Sequence, residues 1–456
     1  MDMSENNKIN NWMDKYILGP LGTFSQYKFV RAITNTGMGT IPFTIVGSMF
    51  LVINVLPQAF PSLQGFYEAT FFKFSDLYML ANKATMGILA LYFNILLGYE
   101  LTKIYADEED LDLSAINGGL LSAFAFFMTI PNLVMEGGVT KLVHLIDPEA
   151  DVQIVNGWSV GADGLTRLGT VGIFTGIIMA TIAVMIYRFC VKKNITIKLP
   201  EAVPAGVANS FTALIPAFAI AIVVLLINAL LLSLGYDIFT ILEVPFGFIT
   251  NLANSWLGLV VIYIIMQALW FVGIHGATLV TSFLQPITFA NLTANIAGAS
   301  IPFAGEFNNA YVTIGGSGAT LVLCFWLATR AKSEQLSAIG KASAVPALFN
   351  INEPLIFGIP FLYNVDLMIP WFLAPIASMT VGYIGIASGF ARPVIAQMAW
   401  PTPVGLGAFI GSGGDIKAGI LALACAAVAF LVYYPFIRRY DKKLLLQEQE
   451  AMKEMQ

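Results

Sequence analysis

The sequence predicts an all-α polytopic membrane protein of about ten transmembrane helices, with re-entrant hairpins and broken helices in its C-terminal half. Three observations predict it. Hydrophobic residues make up 57% of the chain and charged residues only 11%, whereas a soluble domain is about one quarter charged; too few charges remain to coat a globule of 456 residues. Apolar runs approaching the ~20 residues of a membrane span recur along the whole length. Basic residues gather at alternate ends of those runs, as the positive-inside rule requires.

The first 34 residues are not a span. Met1 to Asn11 is polar and lacks the apolar core of a cleavable signal. Trp12, Tyr16, Ile17, Leu18, Phe24 and Tyr27 then alternate with Lys15, Lys28 and Arg31. That mixture suits a cytoplasmic amphipathic segment on the membrane surface, with an ordinary solvated tail as the alternative. Spans follow near 38–56, 77–103, 115–135, 165–189 and 211–235, within an N-terminal membrane domain over 35–235. The loop Pro57–Asp76, with Phe66, Tyr67, Phe71, Phe72 and Phe74, is aromatic enough to sit at the interface.

Lys8, Lys15, Lys28 and Arg31 precede the first span, Lys103 ends the second, and Arg188, Lys192, Lys193 and Lys198 follow the fourth. The loop after the third span sets Lys141 against Asp147, Glu149, Asp151 and Asp163. Arg438, Arg439, Lys442 and Lys443 close the last span. The chain is therefore expected in a bacterial cell membrane with both termini on the cytoplasmic side.

The second half, 236–440, differs in kind. Spans are expected near 255–273, 311–329, 367–389 and 417–437, before a cytoplasmic tail at 441–456. Between them lie Gly273-Ile-His-Gly276, Gln285-Pro286, Asn295 to Pro302, Asn350-Ile-Asn-Glu-Pro354 and Trp400-Pro-Thr-Pro403. These stretches are too apolar for water, yet broken. Irregular backbone at membrane depth survives only buried in protein or lining a cavity, and transporters place substrate at such segments. Nine spans are legible, and two termini on one side demand an even number, so one further crossing is expected in the broken region.

Few residues there can carry chemistry. His275 is one of only two histidines, with His144 in the acidic loop. An ionisable group at membrane depth is costly and usually functional; alternatively a neutral ring ties down the hairpin. Glu353 lies where Pro354 disfavours the α conformation, with Asn350 and Asn352 beside it. Its carboxylate could accept sugar hydroxyls, bind a cation or proton, or cap a half-helix. Glu306, Asn308 and Asn309 precede Tyr311 and the run Gly315-Gly-Ser-Gly318, which matches no phosphate loop and reads as helix packing through small residues. Trp270 and Trp400 adjoin broken segments, where an aromatic face can hold a sugar ring. Trp256, Trp326 and Trp371 read as interface anchors. Cys190, Cys324 and Cys425 lie far apart and read as packing residues. No nucleophile set, metal cluster or nucleotide loop is visible, so no metal or cofactor is expected, and the charge balance carries no nucleic-acid signal. The chain moves something rather than transforming it unaided.

The Gly-Ile-His-Gly segment, the Asn-Glu-Pro segment followed by Leu-Ile-Phe-Gly, and the Gly-Gly-Ser-Gly stretch resemble the enzyme IIC membrane component of the sugar phosphotransferase system, in its lactose/cellobiose/diacetylchitobiose branch. The resemblance covers nearly the whole chain. It implies a homodimer with ten membrane helices, of which the first five form the interface, and a C-terminal transport domain that moves as a rigid body in an elevator-like motion. It implies a β-linked disaccharide phosphorylated at its 6-hydroxyl by a separate phosphorylated IIB protein at the cytoplasmic face. By resemblance His275 and Glu353 lie near that hydroxyl, Trp270 and Trp400 stack on the sugar, and Asn352 bonds to it. Glu306 and Asn308 are further candidate substrate-binding residues. The rival reading is an ion-coupled secondary sugar transporter with Glu353 as the proton or cation site; a third is a receptor or scaffold without transport.

Overall fold

The computed structural model describes residues 20, 23–24, 26–147, 149–161, 164–200, 203–271, 275–359 and 364–454. Most of the expected N-terminal surface segment, and Gly273, lie outside them. Helices dominate. Among the described residues six are long and apolar enough to cross a membrane, or seven if one broken pair counts as a span.

The chain packs as two compact units. One comprises Gln26–Phe50 and Asp76–Thr250. Helix α1 (Lys28–Ala59) begins about ten residues before the apolar run at 38, and its greater part, as far as Phe50, belongs here. α2 (Leu89–Glu109), α3 (Ala115–Phe127) and α4 (Ile173–Lys192) pack together around Phe93, Leu97, Phe126, Met179 and Val184. Asn94 Nδ2 donates to the Gly176 carbonyl at 2.8 Å, and the Ser114 N–H donates to Tyr187 Oη at 3.1 Å. At the basic end Glu109 gathers Arg188 (2.8 Å), Lys28 (3.0 Å) and Lys192 (3.2 Å), while Arg31 pairs with Glu108. α5 (Leu214–Ser233) packs on α4, and α6 (Ile238–Asn254) follows.

The acidic segment between α3 and α4 is not plain loop. It forms two small antiparallel sheets, β1 (Leu133–Glu136) with β2 (Val139–Leu142), and β3 (Gln153–Val155) with β4 (Trp158–Gly161) and β5 (Gly164–Leu165). Two-residue turns close the β1–β2 and β3–β4 pairs: Gly137-Gly138, and Asn156-Gly157 with φ +49° and +82°. Such turns follow the right-handed twist of paired strands.

The other unit gathers Leu51–Ser75 with Asn251 onward. The aromatic loop Pro57–Asp76 forms short helical turns here, in which Tyr67 stacks on Phe71 at 4.9 Å. α7 (Trp256–Phe271), α8 (Gly276–Ile296), α9 (Leu321–Arg330), α10 (Glu334–Ala347), α11 (Glu353–Gly358), α12 (Val365–Ala387), α13 (Leu406–Gly411) and α14 (Ile416–Glu454) follow. α12 packs on both α7 and α14.

Three expectations need correction in this unit. The apolar run 311–329 is not one span: it opens as a π-turn (Asn308–Val312), passes through the glycine run, and is α-helical only from Leu321. Gly315, Gly316, Gly318 and Ala319 all take positive φ, so the glycines make a turn rather than a helix-packing stripe. Trp371 is not an interface anchor; it is 1% exposed and its Nε1 donates to the Gln267 carbonyl at 3.0 Å. Trp256 does stand partly exposed, with Nε1 bonded to Thr380 Oγ1 at 2.9 Å.

Candidate functional site

His275 precedes α8 and caps it: Nδ1 accepts from the Thr278 N–H at 3.1 Å. The ring therefore has a structural duty, and Nε2 is the nitrogen left to face a ligand. Gly276 lets α8 approach α7, because a Cβ there would collide with the Met266 carbonyl. The indole of Trp270 lies 4.4 Å from the His275 ring, centroid to centroid. Trp270 is 5% exposed and its Nε1 has no hydrogen-bond partner among the described residues.

Glu353 opens α11, with Asn352 at the cap position and Pro354 in the first turn. The break expected where the carboxylate sits lies just before it, and Glu353 is itself the first helical residue, since a proline in the first turn costs a helix nothing. Glu353 lies near enough to His275 for its charge to act on the ring. Its Oε2 is buried and unpartnered. The structure thus brings Trp270, His275 and Glu353 into one neighbourhood.

Asn352 is committed elsewhere. It is 3% exposed, and its Nδ2 donates to the Ser317 carbonyl at 2.6 Å and to Thr320 Oγ1 at 2.7 Å. Gly316 passes so close to it that a Cβ there would strike the Asn352 amide. Asn350, with φ +60°, accepts from the Gly315 N–H at 2.8 Å and donates to the Trp400 carbonyl at 3.1 Å. The two asparagines flanking Ile351 therefore fasten the glycine turn on one side and the Trp400 loop on the other.

That loop walls a cleft, partly open to the outside, lined by Glu306, Asn309, Asn350, Met398, Trp400 and Thr402 among others. Glu306 takes hydrogen bonds from Asn309 and Gln397. Trp400 is half-exposed. Asn308 is turned to internal duty: its Nδ2 reaches Asn309 Oδ1 and Thr313 Oγ1, each at 3.1 Å. Glu306 and Trp400 share this cleft; His275, Trp270 and Glu353 do not line it. Sequence reasoning did not single out Gln397, Thr402, Tyr263 or Gln267. The signal available for the two glutamines was a side-chain amide inside an apolar run, which is costly at membrane depth.

The profile of the phosphotransferase system EIIC family matches residues 34–375. The chain belongs to that family. It is the multi-pass membrane permease component of a sugar phosphotransferase system. It is similar to the lichenan permease IIC component of Bacillus subtilis (strain 168), at 31% identity over 97% of this chain and 96% of the relative. It is 30% identical to the lactose-specific EIICB component of Staphylococcus aureus, over 93% of this chain and 71% of that one. The crystal structure of the transporter ChbC, the IIC component from the N,N'-diacetylchitobiose-specific phosphotransferase system, matches with a TM-score of 0.83 at 30% identity, covering 96% of this chain and 99% of that one.

Proposed function

We propose that this EIIC chain carries a β-linked disaccharide of the cellobiose, diacetylchitobiose or lactose type inward and presents its 6-hydroxyl to a separate phosphorylated IIB protein. The observation that carries the reading is the Glu353 carboxylate within electrostatic range of His275, itself beside Trp270, with a buried carboxylate oxygen that has no hydrogen-bond partner among the described residues. A carboxylate and an imidazole converging on one hydroxyl orient it and ease its proton loss. Phosphoryl transfer then depends mainly on positioning and charge stabilisation, and a IIB protein brings the phosphoryl group. One relative is named as an EIICB component, which supports a partner of that kind.

In this reading Trp270 and Trp400 hold the sugar rings by their faces. Glu306 accepts sugar hydroxyls in the cleft. Asn352 and Asn308 act through the turns they fasten, beside any bond to sugar. The chain works as a homodimer through its N-terminal domain at 35–235, and the domain at 236–440 moves across the bilayer as a rigid body. Both termini lie in the cytoplasm. The phosphorylated product is dianionic, fits an acidic site poorly, and is released inside.

Uptake tests the reading. Vesicles holding the chain, a cognate IIB and phosphoenolpyruvate-fed phosphoryl donors should accumulate labelled cellobiose as its phosphate. Sugar accumulated unmodified, in step with a proton or sodium gradient, would replace this reading with an ion-coupled carrier using Glu353.

A further inference from the structure

α7 carries a row of polar side chains of which the site described above uses only Trp270. Tyr263, Gln267 and Trp270 stand four and three residues apart, which places them on one face of the helix. They are 1%, 0% and 5% exposed. Tyr263 Oη, both Gln267 side-chain atoms Oε1 and Nε2, and Trp270 Nε1 have no hydrogen-bond partner among the described residues. Buried polar groups in folded proteins are nearly all paired, and each exception calls for an explanation. At membrane depth the penalty is heavier, because lipid offers no substitute partner. Four unpaired atoms on one helical face are therefore not accidental packing.

The two ends of the row lead to the two acidic groups of the site. Trp270 lies against His275, on which the Glu353 charge acts. Tyr263 lies within electrostatic range of Glu306. Seven residues of helix separate the ends, a rise of about 10 Å. That is the reach of two hexose rings end to end, not one. Gln267 sits at the middle of the row, and α7 is pinned there by the Trp371 bond to the Gln267 backbone carbonyl. A primary amide offers two donors and an acceptor, a complement for neighbouring hydroxyls or an acetamido group.

We propose that Gln267, with Tyr263, forms the central polar wall of the sugar site, reading the second ring and the linkage of the disaccharide whose reacting end lies at His275 and Glu353. The inference rests on the disaccharide reading above. It makes Gln267 a specificity-determining residue and Tyr263 its weaker companion.

Isothermal titration calorimetry on the detergent-purified full chain, with cellobiose, N,N'-diacetylchitobiose and lactose, tests it. Gln267→Met keeps the length and removes every polar atom. It should lower affinity for the best-bound sugar about tenfold or more, as for a lost buried hydrogen bond, and change the ranking of the three. Tyr263→Phe removes one oxygen and should cost a few-fold in affinity. Unchanged affinity and ranking in Gln267→Met overturns the proposal and assigns the four atoms to internal water. Where Gln267→Met does not elute as folded protein, Tyr263→Phe decides alone: a loss supports the proposal and no loss overturns it. A wild-type chain that binds none of the three sugars overturns the disaccharide reading itself, a different result from a variant that binds as well as wild type.

Discussion

Glu353 and His275 each do two things at once. The histidine caps α8 through Nδ1 and lies tilted against Trp270, while the glutamate opens α11 with one oxygen buried and without a hydrogen-bond partner among the described residues. Replacing them separates structure from chemistry. Glu353→Gln keeps size and shape and removes the charge, so the protein should fold while phosphorylation-coupled uptake falls to background. His275→Ala should do the same to uptake and also lose the cap, about 1 kcal/mol of stability. Uptake in vesicles and thermal unfolding of the same preparations check both. Uptake retained by Glu353→Gln would remove the carboxylate from the transfer step. The sequence showed these two residues because charge is conspicuous in an apolar chain. It hid Gln267 and Tyr263, whose importance lies in being buried without partners, a property of packing that no spacing reveals.

The helices that hold the site are themselves held from a distance. Asp441, on the extension of α14 and 5% exposed, accepts the Lys332 N–H at 3.0 Å, the Ser333 N–H at 2.9 Å and Ser333 Oγ at 2.9 Å. Glu448 takes the N–H groups of Glu334 and Gln335, each at 3.1 Å. One helix thus satisfies the open N-terminus of another, and that helix, α10, leads directly into Asn350 and Glu353. Asp441→Ala leaves the buried Ser333 donors unpaired and should cost about 1–3 kcal/mol, read as a lowered melting temperature. A melt indistinguishable from wild type would show that the cap is dispensable. In the other unit Arg167 performs a similar fastening, bonded to the Ile130 carbonyl at 3.0 Å, paired with Asp237 and lying over the Phe239 ring. Burial would raise the Asp237 carboxyl. The Thr240 N–H at 2.9 Å and the Arg167 charge outweigh burial and hold the carboxyl below its ordinary value. A carboxyl held low adds stability that is present above its ordinary titration range and is lost as pH falls through the lowered value. Asp237→Asn should therefore flatten the loss of melting temperature below about pH 4. An acid limb as steep as wild type would assign that loss to other carboxylates. Neither fastening was legible beforehand, because each joins residues far apart in sequence. The small sheets were legible in part: Gly137-Gly138 and Asn156-Gly157 are hairpin turn pairs, overlooked amid an acidic segment read only for its charge.

For the whole molecule, hydrophobicity and charge were the readable quantities, and they remain the basis for orientation. The glycine run shows where such reading stops. Hydropathy treats 311–329 as one span, whereas positive φ at Gly315, Gly316 and Gly318 bends the backbone where hydropathy is blind. Orientation can be tested without altering the native thiols, because Cys190, Cys324 and Cys425 are all buried. The segment of small sheets carries Glu136, Asp147, Glu149 and Asp151 against Lys141, whereas the end of α4 carries Arg188, Lys192 and Lys193 and the extension of α14 carries Arg439, Lys442 and Lys443. A positive-inside protein therefore places the first outside and the other two inside. Cysteines introduced singly at Asp151, Lys193 and Lys453, all exposed positions, should report this with a membrane-impermeant maleimide. Asp151→Cys should label in intact cells. Lys193→Cys and Lys453→Cys should label only after permeabilisation. The reverse pattern inverts the protein and would put the His275 and Glu353 chemistry out of reach of a cytoplasmic phosphoryl donor. Labelling of Lys193→Cys and Lys453→Cys from opposite sides would instead make the number of crossings between them odd, and with it overturn the even count that two cytoplasmic termini require.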